Sequence, residues 1–468
     1  MEFLRLICAI LLCSIVTGCN NGSSNGSRHS AEEDENSITD TSLRRNVTFA
    51  PVSVIKGAIN HNTTDFYVLN GATMGFHHDL LRHYADSRGR EIELEIINED
   101  YDTIRSLLQN GKCDVVAMNS SPDYGDTTIF HSDPIIHNDI VIVTPRVKDA
   151  TTKELIAGRY VSVKKGSRAA EALNRFRDTC GYPFFIVELS SSVTSEEMFN
   201  DVMKGVFAGT ANYRHKARTA CYRMPGIGIT EKIEESAPIC WEFRSAEARD
   251  DFNNWLKEFK AKGNVAYLYR RYYRNREADH IIRYGQIYSP RLSEYDEIFK
   301  RESRVLDWDW RLIAAVAFTE SQFKDTIESA HGAYGLMQIQ EVAATQFGVQ
   351  DYFRADSNIY VGVRYLNYLD NMFAKYIENP EERIRFTLAS YNAGYGHIFD
   401  AMRLAKEFGY SDTTWSGSVE NFLLIKSEPQ FRESAAVRNG SCDGKQSVDF
   451  VRRVLRSYRS YTQTKKME

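Results

Sequence analysis

Residues 309–320 read Asp-Trp-Arg-Leu-Ile-Ala-Ala-Val-Ala-Phe-Thr-Glu, and nine residues after Glu320 the chain continues Ser329-Ala330-His331-Gly332-Ala333-Tyr334-Gly335-Leu336-Met337-Gln338-Ile339. The first stretch predicts a helix: Asp309 is a suitable N-cap, and Leu312, Ile313, Val316 and Ala317 form an apolar stripe at helical spacing. Glu320 lies seven residues beyond Ile313 and four beyond Val316, so it continues that stripe and turns its carboxyl toward a cleft or core. Burial disfavours the ionised form, which is what a general acid near neutral pH requires. The paired glycines of the second stretch permit a tight turn, after which Leu-Met-Gln-Ile is expected to begin another helix.

Outward from this pair, the C-terminal part of the chain keeps one character. Segments 292–306, 358–376, 383–394 and 448–461 carry helical periodicity without strand alternation, which predicts an all-α domain over residues 292–468. Upstream the pattern differs. Short β-like runs (VSVIKGAI, IELEII, CDVVAM, DIVIVTP) alternate with helical stretches (HHDLLRHYADSRG, YDTIRSLLQNG), so residues 46–275 read as an α/β domain. Residues 276–291 form a polar connector between the two.

The first 19 residues place Arg5 ahead of an apolar run from Leu6 to Val16, then Thr17 and Gly18 before Cys19. The run is too short for a permanent span and reads as an export signal. Small residues before a Cys resemble a bacterial lipobox, which implies lipid on Cys19 as the membrane anchor. Residues 20–45 are polar and acidic and form a disordered tether. Asn20 after the lipid-bearing Cys favours the outer membrane, facing the periplasm, over inner-membrane retention. At 43% hydrophobic and 26% charged the composition is that of folded domains, and a net charge of -5 provides no basic field for nucleic acid. Zinc-type Cys/His spacing is missing, so neither metal nor cofactor is expected. Export would put Cys113, Cys180, Cys221, Cys240 and Cys442 in an oxidising compartment, where a Cys180–Cys221 bridge is conceivable.

The α/β part resembles the family 3 solute-binding proteins of amino-acid transporters, two-lobed folds with ligand between the lobes. The resemblance rests on Gly75 with Asp79-Leu80-Leu81, on 107–114, Ser132-Asp133-Pro134, Gly166-Ser167 and Leu268-Tyr269. Two departures bear on ligand choice. Where the family places an Arg for the ligand carboxylate, this chain reads Ser121-Pro122-Asp123-Tyr124, and where it places an Asp for the ammonium, Thr210 and Asn212 stand instead. A muropeptide or cell-wall peptide is therefore expected in preference to a free amino acid.

The helical part resembles the lysozyme-like domain of soluble lytic transglycosylases through four ordered blocks: Glu320-Ser321, Gly332 to Gln338, Asn358-Ile359 with Gly362, and Tyr391-Asn392-Ala393-Gly394. With Gly396-His397, Trp415 and Phe450-Val451, the whole is similar to the membrane-bound lytic murein transglycosylase F family. That resemblance implies Glu320 as the lone catalytic acid and base, acting on peptidoglycan glycan strands to leave 1,6-anhydro ends. It also implies substrate contacts at Ser329, Gln338, Tyr391 and Asn392. Gln446 departs from the pattern, since an acidic residue is usual there. Two other readings stay open: a goose-type lysozyme using water, with Asp325 as the nearest second carboxylate, and a non-catalytic cell-wall receptor.

Overall fold

The structure is a computed structural model and describes residues 53–62, 64–97, 101–120, 128–190, 192–274 and 291–465. The export signal, Cys19, the tether, the Ser121 to Tyr124 turn and nearly all of the 276–291 connector lie outside the described residues. The chain divides into two compact units, one built on Ser53–Leu292 and the other on Ser293–Tyr458, with residues from Arg459 grouped with the first.

The first unit is α/β. Its strands are β1 (Val54–Asn60), β2 (Tyr67–Leu69), β3 (Ala72–Met74), β4 (Glu91–Ile97), β5 (Val115–Ser120), β6 (Phe130–His131), β7 (Ile136–Pro145), β8 (Tyr160–Lys164), β9 (Phe185–Leu189), β10 (Gly209–Tyr213) and β11 (Ile227–Phe243). Nine join in the order β4-β1-β5-β11-β7-β10-β8-β9, with β6 also on β11. Strand β1 is parallel to β4 and β5, and β8 is parallel to β9 and β10, each such pair joined by a crossover helix. The long β7 and β11 run antiparallel through the middle, and β11 changes partner along its length. Its start pairs with β7 and its end with β5 and β6. Two lobes follow, each with its own core. One gathers Phe76, Leu80, Trp241 and Phe252, the other Ile140, Ile142, Val163 and Leu173.

Alternation along β7 also settles the cysteines. Ile140 and Ile142 face the core that includes Cys180, whereas Val141 and Val143 face the one that includes Cys221. The two thiols lie on opposite faces of the sheet, and all five described cysteines are free. The Cys180–Cys221 bridge is thereby overturned.

The second unit is helical. Helix Trp310–Ser321 is capped by Asp309, whose carboxylate accepts from the Arg311 N–H at 2.9 Å. The apolar stripe expected there proves too narrow: every residue from Leu312 to Ala317 is buried, so the helix runs through the core. Helices Ala355–Phe373 and Pro380–Ala393 pack against each other beside it. The fold also seals one ion pair completely. Lys426 donates to Asp400 at 2.9 Å, and Asp400 accepts from the Arg438 and Asn439 backbone as well, fixing the strand-free 436–440 segment. Leu336 to Ile339, expected to begin a helix, forms a turn instead. Gly335 and Gln338 both have positive φ (77° and 49°) there, and Tyr334 pairs with Ile339 across the turn; the next helix begins at Glu341.

Candidate active site

Glu320 occupies the last turn of its helix, which stops one residue later because Gln322 and Phe323 both adopt left-handed backbone (φ 55° and 59°). Ser321, fully engaged, has its hydroxyl 2.8 Å from the Leu336 carbonyl and 3.0 Å from that of Ala317. The helix end is thus tied to the glycine-containing loop, and the position of Glu320 relative to that loop is set by its neighbour.

The loop is held from within and from behind. Within it, Gly335 N–H donates to Ile327 and Tyr334 exchanges hydrogen bonds with Ile339. Ser329 Oγ accepts from the Ala333 and His331 N–H groups, and Gln338 Nε2 donates to the carbonyls of Ile327 and Gly335. Behind it sits the buried Asn358. Its oxygen accepts from Met337 N–H at 2.8 Å, while its nitrogen donates to Tyr334 and Tyr352 carbonyls. This explains two glycines. A Cβ on Gly335 would lie 2.6 Å from the Asn358 amide, and one on Gly362 would lie 2.4 Å from Met337 sulfur. The Asn-Ile-x-x-Gly block therefore exists to seat the loop.

Tyr391 completes the arrangement by donating its hydroxyl to the Met337 carbonyl at 2.7 Å, with Tyr365 packed on its ring. Its hydroxyl also lies in the field of Glu320: burial first, then that carboxyl, pushes its ionisation far above the usual range. Glu320 itself is half-buried, and its carboxyl receives no hydrogen bond from any described residue. Dense packing around it raises its pKa to about 8, opposed by the positive charge of the exposed Arg453. The group is therefore mostly protonated at neutral pH. No carboxylate contributes to this shift, and Asp325 instead takes a hydrogen bond from the Tyr295 hydroxyl.

The structure thus brings Glu320 and Tyr391 together at the loop. Ser329 Oγ as an acceptor and Gln338 Nε2 as a donor are engaged in shaping that loop, and Met337 is core. Asn392 accepts from Ser447 on the terminal helix Gly444–Lys465, next to Gln446. Sequence reasoning did not point to Arg453, and it missed the central position of Asn358, whose signal was its place in a motif block. In the first unit, Thr210 is buried and donates to the Ser162 carbonyl, and Asn212 bonds Ser195 and the Tyr213 N–H. Both are engaged within the protein, and neither is a carboxylate that could pair with an ammonium. Among the described residues no cluster of His, Cys, Asp or Glu could hold a metal, and no helix is long and apolar enough to cross a membrane.

Residues 56–275 match the family model of bacterial extracellular solute-binding proteins, family 3, and residues 297–413 that of the transglycosylase SLT domain. A membrane-bound lytic murein transglycosylase F of Desulfosudis oleivorans is 29% identical over 417 residues, 85% of this chain and 87% of the relative. One of Pseudomonas fluorescens is 27% identical over 413 residues, or 85% and 82%. Among solved structures, an ancestral arginine-binding protein bound to arginine aligns at a TM-score of 0.42 and 21% identity, covering 48% of this chain and 100% of that protein.

Proposed function

We infer that this chain, which joins a family 3 solute-binding domain to a transglycosylase SLT domain and stands with the membrane-bound lytic murein transglycosylases F, is a peptidoglycan-cleaving lytic transglycosylase. The observation that carries the chemistry is a half-buried Glu320 at the end of its helix, beside Tyr391 and the glycine-containing loop and without a hydrogen-bond partner among the described residues, where burial raises its pKa to about 8. Such a group still carries its proton near neutral pH and can deliver it to a leaving oxygen, and the carboxylate it leaves is an unusually strong base for want of donors.

Glu320 protonates the oxygen leaving from the bond between N-acetylmuramic acid and N-acetylglucosamine. The resulting carboxylate takes the proton of the same sugar's 6-hydroxyl, which attacks C1 and closes the 1,6-anhydro ring. The acid is regenerated and water is not consumed. Tyr391 and the Ser329 to Gln338 loop form the wall against which the strand lies, and Asn392 holds that wall to the terminal helix. A water-using route would need a second carboxylate. Asp325, the nearest in sequence, is occupied by Tyr295.

Lipid on Cys19 anchors the enzyme to the outer membrane on its periplasmic side, and the first unit takes a muropeptide or cell-wall peptide. The chemistry is tested by mass analysis of products from purified sacculi. Anhydro-terminated fragments are expected from the wild type, and exclusively reducing ends would refute the reaction. Cys19→Ala is expected to shift the protein out of the membrane fraction.

A further inference from the structure

The first unit contains a cleft that unites its two lobes, lined by Asn119 and Asp65 from one and by Lys164, Asn212, Ser195 and Lys216 from the other. We propose that this cleft binds a small ligand by its carboxylate, held between Lys164 Nζ and Asn119 Nδ2, and selects ligands that carry no free ammonium. This deepens the small-ligand role given above to the first unit and names the chemistry of its ligand.

The orientation of Asn119 follows from a relay of hydrogen bonds. Trp241 Nε1–H donates to His77 Nδ1 at 2.8 Å, so the proton of the His77 ring must sit on Nε2. Burial holds His77 below its ordinary pKa and keeps the ring neutral. Its Nε2–H then donates to Asn119 Oδ1, 2.8 Å away. With its oxygen so committed, Asn119 turns its amide nitrogen the other way. That nitrogen is buried and has no partner among the described residues. A buried donor without an acceptor is costly, and a ligand oxygen relieves it.

Charge agrees with this reading. Asp65 is buried and fully occupied: Asn62 Nδ2 donates at 2.8 Å, Thr64 Oγ1 at 3.0 Å and Lys216 Nζ at 3.0 Å. Lys216 and Asp65 therefore cancel. Lys164 has no ion pair or hydrogen bond to its ammonium among the described residues. Burial, then repulsion from Lys216, presses its pKa down to about 8, although Asp65, Glu196 and Glu197 pull the other way. Glu197 is committed to the capping box of Thr194. The cleft is left with one cation in need of an anion.

What the cleft lacks is equally informative. Asp65 is the one carboxylate among the described residues lining it, and it is taken. Thr210 and Asn212 are bonded within the protein. A zwitterionic amino acid would bring an ammonium with no unengaged carboxylate among the described lining residues to pair with it, whereas an acylated amino acid or the C-terminus of a peptide brings an amide instead.

The test is isothermal calorimetry on the full chain with three probes: N-acetyl-alanyl-alanine, its C-terminal amide, and unacetylated alanyl-alanine. The acetylated acid is expected to bind, with the amide and the zwitterion each weaker by about tenfold or more, the range of a lost charge-assisted contact. Lys164→Met should lose about tenfold for the acid and leave the amide unchanged, at an unaltered melting temperature. Asn119→Asp, which sets a carboxylate against the ligand, should do the same. Equal affinity for acid and amide, tighter binding of the zwitterion, retention of affinity by Lys164→Met, or no heat from the acetylated acid would each overturn the proposal. Because calorimetry reads binding alone, failure here leaves the glycan-cleaving role of Glu320 standing, and failure of cleavage leaves this result intact.

Discussion

Two of the carboxyl groups that this chain draws away from water, buried Asp65 and half-buried Glu320, end in opposite states. Asp65, in the first unit, receives Asn62, Thr64 and Lys216. Burial alone would raise its pKa, yet the adjacent Lys216 charge, His77 and these hydrogen bonds together hold it well below the usual carboxylate range. Glu320, in the second, receives no hydrogen bond from the described residues, and burial carries it up to about 8. Desolvation is common to both. What differs is the supply of positive charge and donors, and that supply decides which group is held as an anion and which is held neutral.

The largest effect expected from this contrast is on cleavage. Glu320→Gln preserves size and shape but cannot exchange a proton, so turnover of sacculi should fall by about 100-fold or more, the scale of lost general acid-base catalysis. Wild-type activity should also decline as pH rises through about 8, where Glu320 loses its proton. A variant that digests sacculi at the normal rate would remove Glu320 from the mechanism.

Next in size is Asp65→Ala. It strands Lys216 in a half-closed cleft, and breaking such a pair costs on the order of 3 kcal/mol. The sign with pH is fixed by the depressed pKa of Asp65. Its contribution is present above the unfolded value near 4 and is lost as pH falls below it. Denaturant unfolding should therefore show wild type and variant converging in acid. If the gap does not narrow between pH 5 and pH 2, the pair is not what stabilises this lobe.

Glu320 should show the reverse. Its folded pKa lies above the unfolded value, so its favourable contribution is complete below about pH 4.5 and disappears as pH rises toward 8. Glu320→Gln ought then to be more stable than wild type at pH 8 by about 2 kcal/mol, a figure reduced from the full shift because solvent reaches the residue. Thermal melts at pH 5 and pH 8 supply the comparison. A variant equally stable at both would mean the carboxyl is not held in its neutral form.

The two groups were not equally legible in the sequence. Glu320 could be found because helical spacing from Ile313 and Val316 turns it inward, and because the glycines that follow it are close in the chain. The α/β and helical patterns were legible for the same local reason. Asp65 had no such signal: its partners come from positions 62, 64 and 216, and only the meeting of two lobes brings Lys216 to it. The turn at Leu336 to Ile339 was misread because its sequence has helical periodicity, while the Tyr334–Ile339 pairing and Asn358 behind it impose another conformation. Ser329 and Gln338 could be singled out by their motif block, but which atoms they have left for a ligand depends on hydrogen bonds that close within the loop.

The smallest expected effect is the sharpest test of the contrast. Tyr391 stands in the field of Glu320 but gives its proton to the Met337 carbonyl at 2.7 Å, not to the carboxyl. If it gave that bond to Glu320, the ionised form would gain a donor and the pKa would fall, moving Glu320 toward the condition of Asp65. Tyr391→Phe should therefore cost about 1 kcal/mol of stability, the usual net value of one hydrogen bond. The alkaline limb of the pH–rate profile should stay near its wild-type position. A limb displaced upward by about one unit, or about 1.4 kcal/mol of differential interaction, would mean that Tyr391 does supply a hydrogen bond to Glu320 during the reaction, and the picture of a carboxyl kept protonated by the lack of donors would fail.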